Sequence, residues 1–291
     1  MTTSETKKID PLATKHTGMH PETLHINDTA SAAKVLDLRY GSNPTQTAAL
    51  YNPNSFLGSL KELRTGKGGP SQTIYEDIFY AALTVGYFDS PSVIIMKHEN
   101  PSGFATQYAA EHLSETYRKA RDSDFRAAFG GTVLCNREVD MKTAETMAEL
   151  FTEVLVAPSF AEGVVERFKG SMRIFQYDAT AFKSIPRFSG DASLPEIKRL
   201  PDGSIIRADA LLTPIRTVED LKPFIASQRQ PTEQELRDLL TGYRIRLRSN
   251  SIRMVKNGYA TGLGTGQQDR IMCIDIAVHK NKRLFELIIE I

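Results

Sequence analysis

A lysine and a histidine stand side by side where an apolar run ends, in Ser92-Val93-Ile94-Ile95-Met96-Lys97-His98-Glu99-Asn100-Pro101-Ser102-Gly103. An imidazole can accept a proton near neutral pH, and an ammonium beside it stabilises a developing oxyanion where water is scarce. The pair therefore suits an attack by a protonated nucleophile on a carbonyl-type carbon. Taken alone, the same two residues also describe a solvated strand-end charge followed by a loop imidazole, because Lys is seldom buried. Arg39 and Tyr40, just before Gly41-Ser42-Asn43-Pro44, offer a guanidinium fork and a phenol to a phosphate. A surface Arg beside a half-buried Tyr is the plainer reading of that second pair. Gly130-Gly131 allows close backbone approach to a ligand or simply a turn. The run Gly262-Leu263-Gly264-Thr265-Gly266-Gln267-Gln268-Asp269-Arg270 suggests an anion-binding turn before a helix, although it is neither Gly-x-Gly-x-x-Gly nor a P-loop.

The elements that would position these residues follow from pattern. Ser92–Met96 reads as a buried strand ending at Lys97-His98, with Asn100-Pro101 and Ser102-Gly103 turning the backbone afterwards. In open α/β sheets such strand ends border the ligand crevice. Residues 60–72 read as a flexible loop. Thr73-Ile74-Tyr75-Glu76 has capping-box spacing, which predicts a helix with Ile74, Ile78, Ala81, Ala82 and Val85 on its apolar face and a stop at Gly86. A helix is expected after Gly103 through Ala120, with His112 on its surface. Next come a strand after Gly131, a helix opened by Asp140, and the strand Val154–Ala157, with Glu153 just before it. This alternation predicts a layered α/β domain with a largely parallel sheet. Farther on, Met172–Tyr177 reads as a strand, and a hairpin turning at Pro201-Asp202-Gly203 follows. Thr232 opens a capped helix, and a hairpin turns at Asn257-Gly258.

With 36 Lys+Arg against 35 Asp+Glu, the formal charge of +1 gives no global field toward nucleic acid or an anionic membrane. No apolar run is long enough to span a bilayer, and the polar N-terminus lacks a signal core, so a cytoplasmic setting is expected. Cys135 and Cys273 lie in apolar stretches without metal-type spacing. They read as core thiols, with no metal site and no disulfide.

Taken in order, seven blocks resemble the transformylase part of the AICAR formyltransferase/IMP cyclohydrolase family. They are Pro21–Leu24, Asp37–Pro44, Lys97–Gly103, Phe129–Gly131, Asn136–Asp140, Ala157–Phe160 and Gly262–Arg270. The resemblance covers roughly residues 20 to 280. It implies transfer of a formyl group from 10-formyltetrahydrofolate to the 5-amino group of the AICAR ribotide, with reduced folate as co-substrate and no metal. By the same resemblance His98 matches the general base, Lys97 the oxyanion-stabilising cation, and Asn250 a residue that orients amine and carboxamide. Arg39, Tyr40, Gly130, Glu153 and Arg270 match nucleotide-binding positions, and Ile271 a folate contact. The implied fold is α/β: a layered cytidine-deaminase-like α/β/α unit over residues 19–225 and a partial second unit over 226–291. A disordered arm is expected over 1–18, and a homodimer forms the family's site. The zinc deaminase signature is missing, so the deaminase likeness is one of fold.

The sequence departs from the family in several places. A short arm stands where the family carries its cyclohydrolase domain, so no IMP cyclohydrolase activity is expected. Later family Phe, Asp and Arg positions, which help to hold folate and nucleotide, have no counterpart before Ile291. Asp124-Phe125-Arg126-Ala127 replaces the family's Asp-Pro-x-Ser, and Asp269 a Ser. The alternatives are a non-catalytic AICAR-type nucleotide-binding protein or a truncated fragment of the enzyme.

Overall fold

The structure is a computed structural model that describes residues 20–25 and 31–289; the arm expected over 1–18 lies outside them. A small antiparallel sheet comes first, from β1 (Thr23–His25), β2 (Ser31–Asp37) and β3 (Ala49–Tyr51). The chain continues through β4 (Lys61–Arg64), α1 (Gln72–Val85), β5 (Ser92–Lys97), β6 (Asn100–Thr106), α2 (Leu113–Asp122), α3 (Phe125–Ala128), β7 (Thr132–Cys135), α4 (Met141–Ala148), β8 (Val154–Ala157), α5 (Val164–Arg167), β9 (Arg173–Gln176) and α6 (Ala179–Lys183). An exposed hairpin follows, β10 (Glu196–Arg199) with β11 (Ile205–Ala208), and then α7 (Glu233–Arg244), β12 (Ser251–Lys256), β13 (Tyr259–Thr265) and α8 (Arg270–Ile289).

The main sheet has eight strands in the order β12-β13-β6-β5-β7-β8-β9-β4. Only the β7–β8 and β8–β9 pairings are parallel, which corrects the expectation of a largely parallel sheet. The reason lies in the stretch after His98. Asn100–Thr106 is not a turn followed by a helix but a strand that folds straight back on β5. Pro101 fits there because the β5–β6 register shifts beside Ile95 and Met96, a bulge that tolerates a residue without an N–H. Gly103 is needed for packing, since a Cβ would stand 1.7 Å from the Ala120 carbonyl oxygen of α2. Gly262 and Gly264 likewise lie inside β13 and let α8 approach, a Cβ at each meeting the Ala277 and Cys273 carbonyl oxygens at 2.1 and 1.9 Å. Of the three glycines in that run, only Gly266 lies in the loop before α8.

Alternation along β5 sends Ile94 and Met96 to one face and Val93 and Ile95 to the other. The first pair packs with Ile74, Ile78, Ala81, Ala82 and Val85 of α1. The second packs with Tyr117 and Ala120 of α2 and Ala144 and Met147 of α4. Helices thus cover both faces of a mixed sheet. Each wholly buried Ile or Val here contributes about 1.5–3 kcal/mol relative to exposure. Helix α1 begins at Gln72, capped by the Ser71 hydroxyl accepting from the Ile74 N–H, two residues earlier than the Thr73 box suggests. Its stop at Gly86, the Asp140 cap and the Thr232 capping box stand as read. Residues 61–64 of the expected loop pair with β9 instead. His112 caps α2, its ring bridging Ser114 and Asp140. Cys135 and Cys273 are buried and unbridged.

Candidate active site

Every β5 neighbour brings a connecting segment to the same end of the sheet. Lys97 pairs with Asn100, Met96 with Thr132, Thr132 with Val154 and Val154 with Arg173. Ser251 pairs with Thr265 at that end too, because β13 runs antiparallel to β6. Residues 97–100, 129–131, 153 and 265 therefore form one continuous edge, with the segments just before β12 and just after β4 at its two flanks.

At its centre is a two-residue turn. His98 and Glu99 both have positive φ, 54° and 63°, the twist of a tight hairpin turn normally given to Asn-Gly. For non-glycine residues this costs about 1–2 kcal/mol each, so other contacts must hold it. The Glu99 N–H donates to Asp77 Oδ1 at 2.5 Å, and the His98 backbone also favours the charged form of that carboxylate. Asn100 Nδ2 donates to the His98 carbonyl at 2.9 Å. The His98 side chain is left exposed at the tip. Burial pushes the Asp77 carboxyl up to about 7, against the opposite pull of these backbone donors.

Lys97 is half-buried and directed sideways, Nζ donating to the Phe129 carbonyl at 2.7 Å. That carbonyl precedes Gly130, whose φ of 69° requires glycine, while a Cβ on Gly131 would meet Ile95 Cγ2 at 2.8 Å. The glycine pair is thus one conformational and one packing requirement. Next along the edge, Glu153 Oε1 accepts from Arg173 at 2.8 Å. Arg173 is buried to 2% exposure and donates also to the Gly69 and Lys67 carbonyls at 2.7 and 2.6 Å. Arg39 reaches the same Lys67 carbonyl at 3.3 Å and lies over the Tyr40 ring at 5.5 Å. The Arg39-Tyr40 backbone is fixed between Pro70 and Gln72.

On the other flank, Thr265 Oγ1 donates to Asn100 Oδ1 at 3.3 Å and to the Arg248 carbonyl at 3.0 Å, and Arg248 forms a close ion pair with Glu99. The 248–250 segment is thereby tied to the hairpin. Asn250 Nδ2 donates to the Gln267 and Gln268 carbonyls at 3.3 and 3.2 Å. Asp269 accepts from the Met272 N–H at 2.8 Å, the capping role that a Ser could also serve. Arg270 and Ile271 are exposed in the first turn of α8.

Lys97, His98, Gly130 and Glu153 are thus neighbours along the middle of the edge. Arg39 and Tyr40 attach at the β9 side, and Asn250, Arg270 and Ile271 at the β12 side. These flanks are six strands apart, about 30 Å at ordinary strand spacing. Hollows of about 370 and 470 Å³ lie elsewhere, beside Phe168 and Met172 and beside Tyr87 and Arg244, and neither is lined by the residues just named. Three residues escaped the sequence reading: Asp77, Arg173 and Thr265. A charge inside the apolar run Met172–Tyr177 was a visible signal for Arg173; Asp77 gave none.

Comparison with known proteins adds a second line of argument. Residues 6–280 match the family model described as AICARFT/IMPCHase bienzyme. A bifunctional purine biosynthesis protein PurH of Chlorobaculum parvum is 36% identical over 270 residues, which is 86% of this chain and 47% of that protein. PurH of Pelodictyon phaeoclathratiforme is 34% identical over 264 residues, 86% of this chain and 46% of the relative. PurH of Acetivibrio thermocellus is 31% identical over 264 residues, 89% and 48%. The chain spans about half the length of the curated relatives it matches. The match over residues 6–280, together with these relatives, means that the chain belongs to the AICARFT/IMPCHase bienzyme family.

Proposed function

We propose that this chain carries AICAR transformylase chemistry: transfer of a formyl group from 10-formyltetrahydrofolate to the 5-amino group of the AICAR ribotide. The observation that carries the reading is the Lys97-His98 pair at the tip of a braced hairpin, on an edge shared with Gly130 and Glu153. The AICAR amine is a weak nucleophile because its lone pair is delocalised into the ring and carboxamide. As its nitrogen bonds to the formyl carbon, His98 takes the proton. The carbonyl electrons move onto oxygen, where the Lys97 ammonium offsets the charge. When the oxyanion collapses, the bond from formyl carbon to folate N10 breaks, and tetrahydrofolate leaves with a proton on that nitrogen.

Arg39 and Tyr40 are assigned to the ribotide phosphate. Gly130, Glu153 and Arg270 are assigned to the nucleotide, Asn250 to orienting the amine and carboxamide, and Ile271 to the folate. The separation of the Arg39 and Asn250 flanks supports a site completed across a homodimer. We read residues 19–225 as a first cytidine-deaminase-like unit and 226–291 as the start of a second, whose hairpin β12–β13 extends the main sheet. The cytoplasm is the compartment where such substrates would be met.

Tetrahydrofolate release from AICAR and 10-formyltetrahydrofolate, run beside ribotide binding by calorimetry, tests the proposal. Turnover that depends on His98 supports it. Ribotide binding without turnover selects instead a nucleotide-binding protein.

A further inference from the structure

The hairpin between β5 and β6 is held from two sides by different elements. From the strand side, Asn100 ties the His98 carbonyl and is itself bonded by Thr265. From the helix side, the Asp77 carboxylate accepts from the Glu99 N–H of the turn at 2.5 Å. Asp77 belongs to α1, twenty-two positions from Glu99 in sequence, and is 6% exposed. A buried carboxylate is costly unless it is hydrogen-bonded, and a turn of two non-glycine residues at positive φ is costly unless it is held. Each feature supplies what the other lacks. What the two together fix is the backbone that carries His98, since its carbonyl and the next N–H are both bonded while its ring stays exposed.

The groups facing Asp77 are consistent with a bracing role. Glu76 on its own helix and Glu99 on the turn both oppose its negative charge, and Glu99 is turned away to Arg248. The Asp77 carboxylate is directed at the turn's backbone. It acts on the imidazole by fixing where the ring begins.

We infer that Asp77 is the positioning residue of the site, setting the reach of the His98 imidazole through the peptide groups of His98 and Glu99. Its consequence for catalysis rests on the formyl-transfer reading above; its consequence for the turn does not.

The test uses the full chain as wild type, Asp77→Ala and Asp77→Asn, with two independent readouts. Nuclear magnetic resonance follows hydrogen exchange of the Glu99 amide and the His98 ring resonances. Steady-state kinetics follows kcat and the KM for AICAR. In Asp77→Ala the Glu99 amide should exchange at least about 10-fold faster and the His98 ring resonances should move. The same variant should lose about 10–100-fold in kcat with KM little changed, because a displaced base slows the chemical step more than binding. Asp77→Asn keeps one acceptor oxygen and should lie between wild type and Ala in both readouts. Unaltered Glu99 exchange and His98 resonances in a folded Asp77→Ala overturn the inference, as does a loss in which KM rises and Asn gives no rescue. If Asp77→Ala does not fold, Asp77→Asn decides: wild-type values in both readouts overturn the inference, and intermediate loss supports it. If the wild type does not turn over, the formyl-transfer reading fails, and the resonance data still decide whether Asp77 holds the turn.

Discussion

The Lys97 ammonium donates to the Phe129 carbonyl at 2.7 Å, so the cation of the proposed site is held by the residue that opens the glycine pair. Gly130 keeps that carbonyl in place at a φ that disfavours any other residue. Gly130→Ala should destabilise the protein by about 1–2 kcal/mol, read as a lower urea midpoint. It should also reduce formyl transfer by more than the unfolded fraction explains. Wild-type stability with wild-type turnover would show that the Phe129 carbonyl does not position Lys97.

Lys97→Met keeps an unbranched side chain, one atom shorter, and removes its charge. A fall in kcat of about 10²–10³-fold with near-wild-type ribotide binding is expected from the loss of an oxyanion partner. Rapid-quench measurement of the formyl transfer step, with ribotide affinity measured separately, checks it. An effect confined to affinity would move Lys97 from catalysis to binding.

Arg173 bridges three segments, bonded to Glu153 and to the carbonyls of Gly69 and Lys67. Arg173→Met should cost about 3–5 kcal/mol, because it leaves buried acceptors unpaired. Glu153→Gln, at a half-exposed carboxylate, should cost under about 1 kcal/mol. Chemical denaturation of both variants measures the difference. The Arg173 loss should be accompanied by weaker ribotide binding, since Arg39 shares the Lys67 carbonyl.

Asp77 gives a pH dependence whose sign is fixed. Its folded value, raised to about 7 by burial, lies above the unfolded one near 4. Its contribution to stability is therefore complete below about pH 4 and is lost as pH rises toward 7. The shift sets an upper bound of about 4 kcal/mol, at 1.4 kcal/mol per unit. Subtracting the Asp77→Asn curve from the wild-type curve should isolate a wild-type advantage that shrinks over this interval and is flat above it. A difference that grows with pH would contradict the assignment.

Much of the fold was legible because its signals are local. The strand at Ser92–Lys97, the Gly86 stop, the Asp140 cap and the Thr232 capping box each depend on residues within a turn or two of one another. The turn after Lys97 was misplaced because Pro101 and Gly103 look like punctuation. Their actual reasons, a register shift and the approach of α2, belong to tertiary packing. The same applies to Gly262 and Gly264 beneath α8. The parallel sheet was over-read because a tight turn made of His and Glu carries no composition signal, yet it converts a crossover into a hairpin. The contacts of Asp77, Arg173 and Thr265 were illegible for a further reason, although the charge of Arg173 stood out in its apolar run. Their partners lie 22, 106 and 165 positions away, and no local pattern encodes them.

The central claim is that the His98 imidazole, carried on the braced β5–β6 turn, takes the proton from the attacking amine. The most direct test is the single-turnover rate of formyl transfer with saturating AICAR and 10-formyltetrahydrofolate, for wild type and His98→Ala. The account predicts measurable transfer by wild type and a loss of about 10²–10⁴-fold in the variant, with ribotide affinity within a few-fold. Equal rates in the two proteins would contradict it.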